Sequence, residues 1–309
     1  MPIRRALAAA TLVAAAVVTT GCAASQASSS ATARTGVVNA VGAQSTYANV
    51  ISQIGGRFVH VTAVQSNPNS DPHAFEASAS VSEEISSAQL IVQNGLGYDS
   101  FMNTIESATS NPVRKIIDVQ QLLRLPDSTP NPHLWYSPAT MPAVARAIAT
   151  DLSQLRPAHT AYFESRLATF DASLKPWFAA IAAFKSDYRG APVATTEPVG
   201  DYLLQALGVR NMTPFGLQAA VMNGVDLAPQ YVTLQENLLT EHKVKVLVYN
   251  QQVVDQVTTT FLAKARQAGV PVVGVYETMP AGFTYQSWML AEVHALRSAI
   301  TSKQSTQRL

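Results

Sequence analysis

The chain has 309 residues, a formal net charge of +1 and only 13 % charged residues, against about 25 % in a typical soluble domain. It has no basic stripe of the kind that binds nucleic acid, and beyond the N-terminus no apolar run approaches the ~18 residues of a membrane span. Its single cysteine, Cys22, excludes an internal disulfide and a thiolate zinc cluster.

Arg4 and Arg5 precede an apolar stretch, Ala6 to Val18, and small residues then lead to Gly21-Cys22. This is the order of a secretory signal, and the stretch is shorter than the ~20 residues that a permanent span requires. Residues 1–21 are therefore expected to be a signal peptide. Thr19-Thr20-Gly21-Cys22 resembles a bacterial lipobox, with Thr19 where an apolar residue usually stands, so Cys22 is the expected lipidation site. Residues 22–35, rich in Ala, Ser and Thr and without apolar period, read as a flexible tether to the membrane.

From Gly36 onward, short apolar strands alternate with amphipathic stretches, the pattern of an α/β fold with parallel strands. Strands are predicted at Gly36–Ala40, Phe58–Val64, Leu90–Gln93 and Lys115–Val119, with helices near Ser45–Ile54 and Val81–Ala88. Ser137-Pro138 is predicted to open a helix as N-cap and first-turn proline, with Met141, Val144, Ile148 and Leu152 on one face. From Phe163 the residues Leu167, Phe170, Leu174, Trp177, Ile181 and Phe184 form the stripe of a long helix, interrupted by Pro176.

The alternation then restarts. Strands are predicted at Val193–Thr195, Val244–Tyr249 and Val270–Val275, and helices near Tyr202–Leu207, Gln230–Thr240 and Val254–Ala268, with a frayed end from Ser302 to Leu309. The expectation is two α/β lobes, each a mostly parallel sheet flanked by helices, joined by a long linking helix. The first lobe spans 36–158, the helix 159–187 and the second lobe 188–309. Such a pair places a ligand in the crevice between lobes, near the carboxyl ends of strands.

Two histidines share one local setting, Asp71-Pro72-His73-Ala74-Phe75 and Asn131-Pro132-His133-Leu134-Trp135. Proline fixes its own φ and restricts the residue before it, so each imidazole sits on a stiff loop. Phe75 and Trp135 are placed to pack behind the rings and limit water access, as the groups surrounding a metal's ligands do. His60 reads as a polar-face strand residue, and His159, His242 and His294 lack the shared setting.

Asp71 to Ser78, DPHAFEAS, resembles the DPHxFEPS element of the zinc and manganese solute-binding proteins of bacterial ABC importers, with Ala77 in place of Pro. Asn131 to Pro138, NPHLWYSP, resembles that family's second histidine element, and Asn94-Gly95-Leu96-Gly97-Tyr98 and Thr284 to Met289 resemble further segments in family order. The resemblance implies one Zn²⁺ or Mn²⁺ per chain as transported ligand, with two ligands from each lobe. These are His73 and His133, then Glu197 after one C-lobe strand and Glu277, where the family usually has Asp, after another. It also implies an ABC permease and its ATPase as partners. The protein is then a monomer without nucleic acid, held by its lipid on the outer face of the cytoplasmic membrane or periplasmic.

Two neutral imidazoles and two carboxylates carry −2, which a divalent cation neutralises, and two nitrogens disfavour Ca²⁺ and Mg²⁺. Zinc suits four ligands in a tetrahedron, whereas manganese prefers more oxygen and higher coordination. The rival readings are a metal-dependent hydrolase using the same residues and a surface adhesin. No H-E-x-x-H helix, G-x-S-x-G elbow or phosphate loop supports an enzyme.

Overall fold

A computed structural model describes residues 36–309. The predicted leader 1–21, Cys22 and the tether to Thr35 lie outside the described residues. No helix among the described residues is long and apolar enough to cross a membrane.

Four strands, β1 Val38–Gln44, β2 Val59–Gln65, β3 Leu90–Gln93 and β4 Lys115–Asp118, form one sheet in the order β2-β1-β3-β4. Four more, β5 Pro192–Thr195, β6 Arg210–Asn211, β7 Leu247–Asn250 and β8 Val272–Val275, form a second in the order β6-β5-β7-β8. Every pairing in both is parallel. The second sheet thus repeats the strand order of the first, a duplication of topology that the sequence does not display. β3, β7 and β8 are buried throughout, as expected of parallel strands covered on both faces, which therefore read as unbroken apolar runs.

The long stripe from Phe163 folds as two helices, Thr160–Ser173 and Lys175–Tyr188. Pro176 lies in the first turn of the second, where its missing N–H costs nothing. Phe163, Phe170, Leu174, Trp177 and Phe184 are all buried. They join a core cluster that includes Tyr47, Trp135 and Tyr136 from the first lobe and Val275, Tyr276, Tyr285 and Trp288 from the second. The lobes share this core, and residues 36–309 form one compact unit.

Two expectations are corrected. Ser137 does not cap the helix, which spans Thr140–Leu155 after an uncapped Ala139. The chain first makes a one-turn 3-10 helix, Leu134–Tyr136, and the Tyr136 hydroxyl is tied to the Tyr276 backbone at 2.8 and 3.1 Å, so helix entry is delayed. The C-terminus is not frayed either. After the helix Tyr285–Ser302 the tail lies along β8: Thr306 N donates to Val272 O at 2.9 Å, and Gly274 N donates to Thr306 O at 2.8 Å. This pairing satisfies an otherwise open sheet edge.

Gly274 permits it, because a Cβ there would collide with the carbonyl of Gln307, and a strand glycine often marks such a close backbone approach. Gly274→Ala is expected to lower stability by about 1–3 kcal/mol, the usual cost of overpacking. Thermal unfolding measures this; an unchanged midpoint would show that the tail is not held there.

Candidate metal centre

Each predicted ligand sits beyond the carboxyl end of a strand. His73 follows β2, His133 follows β4, Glu197 follows β5 and Glu277 follows β8. This is where open parallel sheets place ligands.

The two histidine turns are built alike. Asp71 Oδ1 accepts from His73 N at 2.8 Å, and Asn131 Oδ1 accepts from His133 N at 3.0 Å. Asx side chains form such turns by accepting the backbone N–H two residues on. Asn131 does more: its Oδ1 lies 2.7 Å from His133 Nδ1, while its Nδ2 donates to Pro198 O at 2.8 Å. The amide orientation is thereby fixed, so Nδ1 of His133 carries a proton and Nε2 faces the site. A hydrogen bond on one ring nitrogen that assigns the other to a metal is the usual arrangement for ligating histidines.

Glu277 is the convergence point. Its Oε2 lies 3.2 Å from His73 Nε2 and 3.1 Å from His133 Nε2, and accepts from Tyr98 OH at 2.8 Å. Its backbone N and that of Thr278 donate to Gln252 Oε1 at 2.7 and 2.8 Å, which holds the strand end rigid. Two ligand atoms about 2.0–2.1 Å from a tetrahedral zinc stand about 3.3 Å apart, so these donors already stand near that spacing. Among the described residues His73, His133 and Glu277 are the group of side chains close enough to share an ion.

Glu197 is not in that group. It is buried, its Oε1 accepts from Asn250 Nδ2 at 3.0 Å, and its Oε2 has no hydrogen-bond partner. Asn250 Nδ2 also donates to Glu277 Oε1 at 2.8 Å. One carboxamide therefore bridges the two carboxylates.

Electrostatics separate the two acids. Burial pushes the Glu197 carboxyl well above the usual range and the charge of Glu277 adds to this, against the hydrogen bond from Asn250. Burial would raise Glu277 too, but hydrogen bonds from His133 and His73, and their charge, hold it well below. Burial lowers His73, yet the hydrogen bond and charge of Glu277, with Asp71, leave it above the ordinary imidazole value. Two carboxylates in one dry site split in this way when like charges face each other.

The aromatic neighbours differ between the histidines. Trp135 packs edge-on to His133, with centroids 5.5 Å apart. Phe75 packs instead against Phe101 at 5.1 Å, and Tyr98 takes the place beside His73 at 5.3 Å. Tyr98 is delivered by the loop after β3, where Gly95 takes a φ of +79° and Asp99 Oδ2 and Oδ1 accept from Asn94 N and Gly95 N at 2.6 and 3.0 Å. Burial raises Asp99 to about 6, against these hydrogen bonds. His60 is exposed on its strand, and His159 stacks on Phe58 at 3.9 Å.

Tyr98, Asn250 and Gln252 are site residues that the sequence reading did not single out. For Asn250 and Gln252 the available signal was the polar run Asn250-Gln251-Gln252 at the carboxyl end of an apolar strand.

The family described as zinc-uptake complex component A, periplasmic, matches residues 41–299. The chain is 27 % identical over 132 residues to the zinc-binding protein TroA of Treponema pallidum (strain Nichols), which covers 41 % of this chain and 42 % of that protein. It is 26 % identical over 179 residues to the manganese-binding lipoprotein MntA of Bacillus subtilis (strain 168), covering 56 % and 57 %. The chain thus spans about half the length of these two relatives. A crystal structure of ZnuA superposes with a TM-score of 0.69 at 20 % identity, covering 86 % of this chain and 100 % of that one, a likeness of fold. With its two parallel-sheet lobes and its His-His-Glu cluster, the chain belongs to the family described as zinc-uptake complex component A, periplasmic.

Proposed function

We propose that the protein captures one Zn²⁺ or Mn²⁺ between its lobes and delivers it to an ABC permease and its ATPase. The ligands are His73, His133, Glu277 and Glu197. The observation that carries this reading is the convergence of His73 Nε2 and His133 Nε2 on Glu277 Oε2. Glu197 is the fourth ligand because its Oε2 is buried without a partner, and a buried carboxylate oxygen left unpaired is costly. The lobes are taken as 36–158 and 188–309, with 159–187 linking them.

Family membership supports this reading of the partners and the location. The chain works outside the cytoplasm as a monomer, tethered through Cys22 and residues 22–35. The cargo is a transition metal and not a hard cation, since two imidazoles enter the ligand set. The relatives named for zinc and for manganese leave both metals as cargo.

Purified protein is expected to retain one zinc or manganese per chain by elemental analysis. His73→Ala and His133→Ala are each expected to lose that retention. Stoichiometric metal at unchanged affinity in both variants would mean that the ligand set is elsewhere.

A further inference from the structure

We propose that Asn250 sets the metal preference of the site by engaging one oxygen of each carboxylate and so directing only the other to the cation, which favours a four-coordinate cation of the zinc type over manganese. The inference rests on the ligand set proposed above and concerns a residue that does not itself touch the metal. Asn250 is a positioning residue.

The carboxamide is held on every side. Asn250 is buried at the end of β7. Its Oδ1 accepts from Gln252 N at 3.0 Å, which assigns oxygen and nitrogen in the amide and directs Nδ2 towards the carboxylates. Its backbone N donates to Thr196 Oγ1 at 3.0 Å, which ties it to the residue before Glu197. Nδ2 has two hydrogens and spends one on Glu197 Oε1 and the other on Glu277 Oε1. No donor is left over, and the amide cannot rotate without losing the bond to Gln252.

Asn250 therefore engages one oxygen of each glutamate, which leaves Glu277 Oε2, facing both imidazoles and accepting from Tyr98 OH, and Glu197 Oε2, buried and unpartnered. Two imidazole nitrogens and two carboxylate oxygens make four donors, the number that zinc takes in a closed site. Manganese favours carboxylate oxygens and octahedral geometry. From these four residues it could approach six donors only if both carboxylates turned bidentate, and each would then have to share with the cation the oxygen that accepts from Asn250, which weakens that hydrogen bond. A hydrogen bond to an ionised group is among the stronger ones in a protein. Glutamate alone permits either mode; the amide beside it selects one.

The test compares the purified wild-type protein with Asn250→Ala and Asn250→Leu. Ala removes both donors and opens space, whereas Leu removes the donors at nearly constant volume. Zn²⁺ and Mn²⁺ affinities are measured by competition, and donor number is read by X-ray absorption at the metal edge. The wild-type zinc complex is expected to show four nitrogen or oxygen donors. Both variants are expected to lower the ratio of manganese Kd to zinc Kd by about 10-fold or more, the scale on which groups around metal ligands act, with extra oxygen donors on the bound manganese.

A wild-type zinc complex with five or six donors overturns the inference, whether or not the variants fold. So does an unchanged ratio in variants that still hold one metal per chain, which would leave the proposed function standing. A wild-type protein that binds neither metal overturns both.

Discussion

Glu277→Ala is expected to cost zinc affinity by about 10²–10³-fold and to destabilise the protein without metal as well. The first figure follows from sharing the roughly 10–16 kcal/mol of a four-ligand zinc site among its ligands, about 2.5–4 kcal/mol each. The second effect arises because Glu277 serves four side chains at once. Its removal unpairs the Tyr98 hydroxyl, one N–H of Asn250 and the inward nitrogens of His73 and His133. Groups left buried without partners cost about 1–3 kcal/mol each, and His73, which is exposed to water, costs less. One opposing term is relief of the repulsion that raises Glu197, so the net loss falls short of the sum. Calorimetric zinc titration and thermal unfolding in chelator read the two effects separately. Zinc binding within tenfold of wild type would remove Glu277 from the ligand set.

The same residue shows how far the sequence could be read. His73 and His133 were legible because the Asx-Pro-His turn is local: the proline, the capping Asp71 or Asn131 and the imidazole lie within three residues. Glu277 was legible as a carboxylate ending an apolar strand in family order. Tyr98 was not, because its hydroxyl acquires a role only against a glutamate 179 residues later in the chain. Asn250 was illegible for a similar reason. An amide at a strand end has no motif, and its importance lies in reaching Glu197 and Glu277 together.

Strand and helix identity followed the same logic of range. β3 was readable to the residue because it is buried on both faces and bounded by polar turns. The linking stripe showed its interruption at Pro176, yet the break falls at Leu174, since the proline is tolerated in a first turn but not in a helix interior. The tail along β8 escaped because Ser302 to Leu309 pairs through its backbone, which leaves no side-chain period. The repeated strand order of the two sheets escaped because pairing order is a long-range property of strands that all look alike.

The second large effect belongs to Glu292, far from any proposed ligand in sequence and fully buried on the helix Tyr285–Ser302. Its Oε1 accepts from Trp288 Nε1 at 3.0 Å, while its Oε2 has no partner. Burial raises its carboxyl to about 8, with the hydrogen bond from Trp288 and the neighbouring Tyr136 side chain offsetting only part of the shift from 4.5. Below pH 4.5 the folded and unfolded chains both hold this proton, and its contribution to stability is fully present. Between 4.5 and about 8 the unfolded chain has released the proton and the folded chain keeps it, so stability falls by about 1.4 kcal/mol per pH unit. Across the window this one group removes roughly 4–5 kcal/mol. Glu292→Gln keeps an acceptor for Trp288 and has nothing to titrate. It is expected to match wild type near pH 4.5 and to unfold several degrees higher at pH 8, at about 2–4 °C per kcal/mol for a body of this size. Unfolding midpoints that run parallel in the two proteins from pH 5 to 8 would show that Glu292 ionises in the folded chain as readily as in the unfolded one.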